Sequence, residues 1–427
     1  MLIYRNYIVI GIDVSSKFHV ASAIDPDGRK LFSNFKFDNN FDGIGSFIKK
    51  INELKQSVQT NIVCALESTG AYHLTLLKSI SVHGFENILV NPLITNSSRK
   101  STVRKVKNDN FDTFAIIDAV RNQDFKPSIV ASSSIMALRQ FVRDYYTYSN
   151  ECTKYKLKLR TLLDSFWNEY SSVFSNISNM TSLTLLKSFP SPKSIIEADK
   201  SDIIDILLIS KKGLKYANSA YDKLLVVCQH SLDVFSTVYF DCAIRQYVDT
   251  IINFEATLNN LKQYVTDFIN SDKCDSKVRT NLDLLISISG IGPISAITVL
   301  AEISDFSSFK NYKKIIAFFG MDPKVVQSGQ FTAKHTPVTK CGSHIARRAI
   351  YTIALRCISK TRNGVLINSN IRSYYDAKCV SKAKKVALGH VMHKVVSIMF
   401  SVIKNQKPYE LITKDEHISR FNLQKTA

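Results

Sequence analysis

The 427-residue chain is 45% hydrophobic and 22% charged, which excludes a disordered or collagen-like polypeptide and leaves room for two or three domains with cores of their own. Its 56 Lys and Arg stand against 36 Asp and Glu, and the net charge of +20 points to a polyanionic partner. Eight cysteines without a CxxC pair or a nearby His read as reduced thiols rather than a zinc site. No apolar run is expected to reach the roughly 18 residues of a membrane span, and Met1 to Asp13 lacks a signal-peptide layout, so the expected location is the cytoplasm.

From Tyr7, YIVIGID is a β-branched run ending in an acid, and HVASAID, a DPDG turn and LFSNFKF follow it. Together they predict three hairpin-connected strands. An amphipathic helix is expected near Phe41 to Leu54, a strand at Asn61 to Leu66, a helix over AYHLTLLKSISVHG closed by Gly84, a strand at ENILV, and a helix from Asn110 to Arg121. The order βββαβαβα matches a ribonuclease H-like (RuvC-like) layout, and Asp13-Val14-Ser15-Ser16 after the first strand excludes a Gly-rich nucleotide loop.

After Pro127 apolar residues step by threes and fours from Ile135 to Phe166, and a second such seam runs from Val248 to Phe268. They predict two long helices paired as an antiparallel coiled coil, with Tyr170 to Arg245 as a tip or inserted subdomain, either as a plain helical core or as a dimerisation arm. From Leu284, LLISISGIGPISAITVLAEI reads as a helix-hairpin-helix whose Gly290 and Gly292 let backbone N–H groups approach a phosphate. The predicted fold class is therefore α/β followed by all-α. Its expected domains are residues 1–128 (ribonuclease H-like), 129–270 (helical coiled coil with tip) and 271–427 (basic, helical). Between Phe306 and Pro408 lie 19 Lys or Arg and only Asp322 and Asp376 as acids, among apolar residues that make the stretch fold.

Four acids carry the candidate chemistry. Asp13 and Glu67 end predicted strands, and Asp109 and Asp112 stand three apart at a helix start, on one face. Two unit charges 4 Å apart repel by about 4 kcal/mol at an effective dielectric of 20, so four converging carboxylates call for cations. Hard oxygen donors with no Cys or His beside them select Mg²⁺ or Mn²⁺, the ions of in-line phosphodiester displacement. Arg99, Lys100, Arg104, Lys105 and Lys107, just before the third acid, read as guides for a nucleic-acid backbone.

The phrases GIDVSSKFHV, ALESTGAYH, LVNP with KNDNFD, ISGIGPISA, FFGMDP, QSG and TKCGSHIARRAIYTIAL, in that order, resemble the insertion-sequence-110 family of DEDD transposases, relatives of the Piv-like DNA invertases. The resemblance covers roughly Tyr7 to Asp118 and Leu284 to Ser359. It implies a RuvC-like domain supplying the acids at Asp13, Glu67, Asp109 and Asp112, and a C-terminal domain supplying a serine that links covalently to DNA. It also implies homo-oligomers with composite sites, and for some members a structured bridge RNA as guide. Ser328, in Gln327-Ser328-Gly329, matches the nucleophile; Ser343 is the rival, though it reads as the N-cap of a basic helix His344 to Ile358. Lys334, Lys340, Arg347, Arg348 and Arg356 are expected to contact phosphates. Thr113 stands where the family commonly has Ala, and Met321 and Asp322 also depart from its pattern. Two other readings of the same residues are a nuclease that uses the four acids with water alone, and a non-catalytic nucleic-acid scaffold.

Overall fold

The computed structural model describes residues 3–67, 72–90, 109–125, 127, 131–231, 238–325, 327–328, 331–332, 336–412 and 416, with the backbone alone for 109–111, 327–328 and 331–332. The chain forms two compact units, Met1–Val130 and Ala131–Ala427.

The first unit is a mixed sheet of β1 (Ile8–Val14), β2 (Phe18–Ile24), β3 (Lys30–Asp38), β4 (Ile62–Glu67) and β5 (Glu86–Val90), in spatial order 3-2-1-4-5. The first three strands are antiparallel, while β4 lies parallel to β1 and β5 parallel to β4. Helices α1 (Phe41–Ser57), α2 (His73–Val82) and α3 (Asp109–Asn122) complete the order βββαβαβα read from the sequence. Side chains alternate across β1. Ile8, Ile10, Ile12 and Val14 join a core with Phe47 and Ile51 of α1 and Leu76 and Ile80 of α2. Val9, with Val63, Ala65, Ile88 and Val90, packs on Ile116, Ile117 and Val120 of α3. Burial on both faces is why β1 and β4 are nearly continuous apolar runs.

The second unit has two cores. Helix α4 (Ser133–Phe166) and helix α10 (Val238–Asn270) lie side by side, Phe166 against Phe240 at one end and Ser134 accepting from the Asp275 N–H, at 2.9 Å, at the other. Their pairing is antiparallel, and at 1.5 Å per residue α4 is about 50 Å long. Tyr155 meets Tyr247 and Phe254 edge-on or tilted, and Lys156 reaches Glu255 at 2.5 Å. Between them come α5 (Tyr170–Val173), α6 (Met180–Ser188), α7 (Pro192–Glu197), α8 (Lys200–Leu208) and α9 (Leu214–Gln229). These close over Trp167 and Tyr170, both fully buried, to form a core shared only with the far ends of the two long helices.

The near ends belong to the other core. Ile135, Leu138, Phe141 and Val265 pack with α11 (Ser276–Ile286), α12 (Pro293–Ile303), α13 (Tyr312–Phe318), α14 (His344–Ile358), α15 (Ser369–Cys379) and α16 (Lys384–Asn405). Arg139 donates to the Ala301 carbonyl and the Ser304 hydroxyl, and Arg143 pairs with buried Glu302 at 3.0 Å, tying the arm's base to α12. The 22 residues of α16 are long and apolar enough to cross a membrane, which the sequence reading did not expect. Leu388, Val391, Val395, Met399 and Val402, spaced by threes and fours, are buried in the core, so α16 is the central helix of a folded domain.

Candidate functional site

At one end of the sheet the strand register brings Asp13 and Glu67 to one level. In the parallel register Ile12 pairs with Leu66, so Asp13, next to last in β1, and Glu67, last in β4, lie at the same level on neighbouring strands. Both follow the alternation onto the face that carries α3, and strands of a sheet lie about 4.8 Å apart. Glu67 is buried and Asp13 half-buried.

Gly11 decides how α3 lies over them. A Cβ there would meet the Thr113 carbonyl at 2.3 Å and Ile117 Cγ1 at 2.7 Å, so the helix crosses the strand in near-backbone contact. The Thr113 hydroxyl donates to Ser22 at 2.8 Å, and Ser22 is the β2 partner of Gly11. At its other end, α3 is fastened by Arg121, which donates to the Asp25 and Pro26 carbonyls of the β2–β3 turn at 3.2 and 2.6 Å. Since that turn adjoins the start of β1, α3 runs antiparallel to β1. Its first turn, with Asp109 and Asp112, points past Gly11 toward Asp13 and Glu67. The positive end of the helix dipole faces the carboxylates.

Asp112 is half-buried, and the side chain of Asp109 lies outside the described residues. Among the described residues no three carboxylates already close on one ion-sized centre. The donor set, oxygen only and carried by two strand ends and a helix start, has the chemistry of a hard divalent cation. Thr113, the residue that departs from the resembled pattern, is fully buried, and the Ser22 hydroxyl accommodates its extra oxygen. Of the cations expected beside the acids, Arg99, Lys100, Arg104, Lys105 and Lys107 lie outside the described residues.

In the second unit Ser328 sits near the end of a two-stranded ribbon. Its two short strands are β6 (Gln327–Ser328) and β7 (Phe331–Thr332), with Ser328 opposite Phe331. Nearer the base Pro323 bridges to Val338, Lys324 N–H donates to the Pro337 carbonyl, and Thr339 N–H donates to the Asp322 carbonyl at 2.8 Å. The Thr339 hydroxyl adds a bond to the Asp322 carboxylate at 2.8 Å, a role for the second departure from the pattern. Met321 beside it is buried in the core.

Ser343 caps α14, its hydroxyl accepting from the Ala346 N–H at 3.2 Å. Arg347, expected on phosphates, donates from Nη1 to three backbone carbonyls, those of Phe319, Lys340 and Gly342. Arg348 donates to Asn150 at 2.6 Å and lies over the Tyr146 ring, joining α14 to α4. Both guanidinium groups therefore have internal work, which their position on a basic helix did not reveal. Lys340 and Arg356 are exposed, and Lys334 lies outside the described residues. At the turn before α12, Gly290 (φ +110°) lets the chain pass Cys357, where a Cβ would meet Sγ at 2.6 Å. Gly290 thus serves helix packing. Gly292 is the open member of the pair: it is exposed, it precedes α12 without a side-chain cap, and nothing lies within 4 Å of its Cβ position.

Acids at one corner of a mixed five-stranded sheet, in one chain with a strongly basic helical domain, are the features of an enzyme that works on a polyanion such as nucleic acid. A DEDD transposase model of IS110 elements matches residues 10–168, and a model of the IS116/IS110/IS902 transposase family matches residues 282–376. No curated protein matches the chain. The chain belongs to the IS110 family of transposases, enzymes that cleave DNA and transfer its strands. The tip helices fall between the two matched stretches.

Proposed function

We propose that the protein is the recombinase of an insertion sequence, joining DNA strands through a serine-linked intermediate with Mg²⁺ or Mn²⁺ held by Asp13, Glu67, Asp109 and Asp112 in a RuvC-like domain. The observation that carries the reading is the convergence of β1, β4 and the start of α3 at one end of the sheet. When bound, the metal supplies charge neutralisation at the phosphate and lowers the cost of deprotonating a nucleophile. Of the described acids, Glu67 is the one most withdrawn from water.

Ser328 attacks phosphorus through Oγ. A serine–phosphate bond forms as the bond to one deoxyribose oxygen breaks, and the hydroxyl proton lost is matched by the proton gained at the released strand end. One phosphodiester replaces another, so the energy of the broken bond is retained for rejoining and no external energy source is required. The exposed turn at Gly292, in a helix-hairpin-helix reading, offers backbone N–H groups to a phosphate. Lys334, Lys340 and the Arg99–Lys107 cations track the backbone.

Element ends and target DNA are the substrates, a bridge RNA is a candidate guide, and a homo-oligomer is the acting species in the cytoplasm. The three-part division at 128 and 270 remains our functional reading of the chain. Its middle part is the coiled-coil arm with its tip.

The test is incubation of the full-length protein with end-labelled element-junction DNA and Mg²⁺. A protease-sensitive covalent adduct is expected. It is lost with EDTA and in Glu67→Gln, with cleavage falling by at least about 10³-fold, and it is lost in Ser328→Ala. Cleavage by Ser328→Ala at the wild-type rate would establish the water-using nuclease instead, and full activity of both variants would leave only a scaffold.

A further inference from the structure

We propose that Arg347 is a positioning residue that clamps the base of the ribbon carrying Ser328, rather than a contact to DNA. The inference rests on the reading of Ser328 as nucleophile, which the test below keeps separate.

The ribbon leaves the core at the end of α13 and returns just before α14, and the two legs meet where side chains would keep them apart. A Cβ on Gly320 (φ +63°) would strike the Cys341 nitrogen at 2.4 Å, and one on Gly342 would strike the Phe318 carbonyl oxygen at 2.3 Å. Such close crossing brings backbone carbonyls of both legs toward one point, and carbonyl oxygens repel unless a donor sits among them. Arg347 supplies that donor. Its Nη1 lies 2.9 Å from the Phe319 oxygen on the outgoing leg, and 3.3 and 2.8 Å from the Lys340 and Gly342 oxygens on the returning leg. Phe319 is also the C-cap of α13, where a helix presents unsatisfied carbonyls and negative potential, so a cation is favoured there.

A second tie acts on the outgoing leg, where His393 Nε2 of α16 stands 3.1 Å from the Met321 oxygen. Lys340 completes the crossing in the left-handed region (φ +57°), its N–H on the Gly320 carbonyl at 2.9 Å. No other guanidinium among the described residues joins both legs. Above this base the described ribbon has only cross-strand bonds and the Asp322–Thr339 pair. The orientation of its far end therefore depends on the base. A shift of about 1 Å at a reacting atom is enough to cost about 10²-fold in rate.

Three measurements on Arg347→Met, with Arg347→Lys alongside, test the inference. Hydrogen exchange of the amides of Thr339, Lys340 and Gly342 reads the clamp without reference to any nucleophile, and it is expected to quicken at least about tenfold in Arg347→Met. The single-turnover rate of adduct formation is expected to fall about 30- to 100-fold, with partial recovery in Arg347→Lys. Affinity for junction DNA, and its salt dependence, are expected to stay within about twofold of wild type. Unchanged exchange would overturn the clamp. A weakened affinity with the salt slope reduced by about one would make Arg347 a phosphate contact and also overturn it. Quickened exchange beside an adduct that persists in Ser328→Ala would sink the serine reading while leaving the clamp in place. Should Arg347→Met fail to fold, Thr339→Val loosens the same ribbon above the core, with the same pattern expected at smaller amplitude; no change in adduct rate there would count against dependence on ribbon geometry.

Discussion

The acid corner and the ribbon that carries Ser328, the two places where we propose the chemistry, are held in position by opposite means. Asp13 and Glu67 lie at the C-terminal ends of β1 and β4, whose other residues are all buried, so the unit's core fixes their backbone positions. Ser328 stands on a ribbon whose described ties to the core lie at its base: an arginine, a histidine and two glycine crossings. Damage near the acids should therefore register as lost stability of the unit, and damage near the ribbon as lost rate with the fold intact.

Paired glycine substitutions break or sharpen that contrast, and they carry the largest expected effect on stability. In Gly11→Val the new side chain pushes α3 off β1 at the Thr113 carbonyl, and overpacking of this kind costs about 3 kcal/mol. Chemical denaturation of the full chain should show an early transition for the N-terminal unit. Gly342→Ala meets a carbonyl as close, 2.3 Å away, yet at an exposed crossing whose two legs can part, so its loss of stability should be smaller than that of Gly11→Val and its main effect slower adduct formation. Equal losses of stability in the two variants would erase the distinction between a core-held and a base-held site.

How far the sequence revealed each region follows from the same contrast. The element order of the first unit could be read because β-branched runs, the DPDG turn and Gly84 punctuate it locally, and the ends of those runs pointed to Asp13 and Glu67. The lone glycine in IVIGIDV was a signal for close backbone approach that the reading did not use. Pairing of the two long helices followed from their apolar spacing. Nothing in that spacing told that their near ends join the C-terminal core and their far ends a separate one, because most of the core that Leu138 joins lies more than 120 residues on in sequence. The ribbon was invisible for a similar reason. Arg347 and Arg348 look alike on a basic helix, and only the fold shows one of them turned onto backbone carbonyls, one of which lies 28 residues upstream.

The tip marks another limit. From Tyr170 to Arg245 it holds eight Lys or Arg and seven acids, near neutrality, against the strong basic excess from Phe306 to Pro408. Composition separates a region suited to phosphates from one that is not, but names no partner for the second.

A middle-sized effect is expected at Ser343. Its hydroxyl caps α14, and loss of such a cap costs about 1 kcal/mol. Thermal or denaturant unfolding of Ser343→Ala should show that loss in the C-terminal unit, with adduct formation within about twofold of wild type. Abolished adduct with unchanged stability would transfer the nucleophile's role to Ser343.

The smallest expected effect concerns the acid limb of stability in the first unit. His19 pairs with Val14 in the sheet register, so it lies on the α1 side, away from the carboxylates, with its ring edge-on to Phe37 at 5.3 Å. Burial lowers its pKa below the ordinary 6.5, against the opposing pull of a hydrogen bond that the protonated ring gives to Asn39. The folded state thus resists a proton that the unfolded chain accepts. Above pH 6.5 both states are neutral and the residue adds no pH dependence; as pH falls below 6.5 the unfolded chain is favoured, until the folded pKa is passed. The slope cannot exceed one proton, about 1.4 kcal/mol per pH unit. In His19→Leu, which keeps an apolar group against Phe37, the difference from wild type should shrink or reverse in the variant's favour between pH 6.5 and 5 when unfolding is followed by denaturant titration. Parallel curves over that range would mean that the imidazole accepts its proton without leaving the core, and that the α1 face is less tightly closed than the acid face it backs.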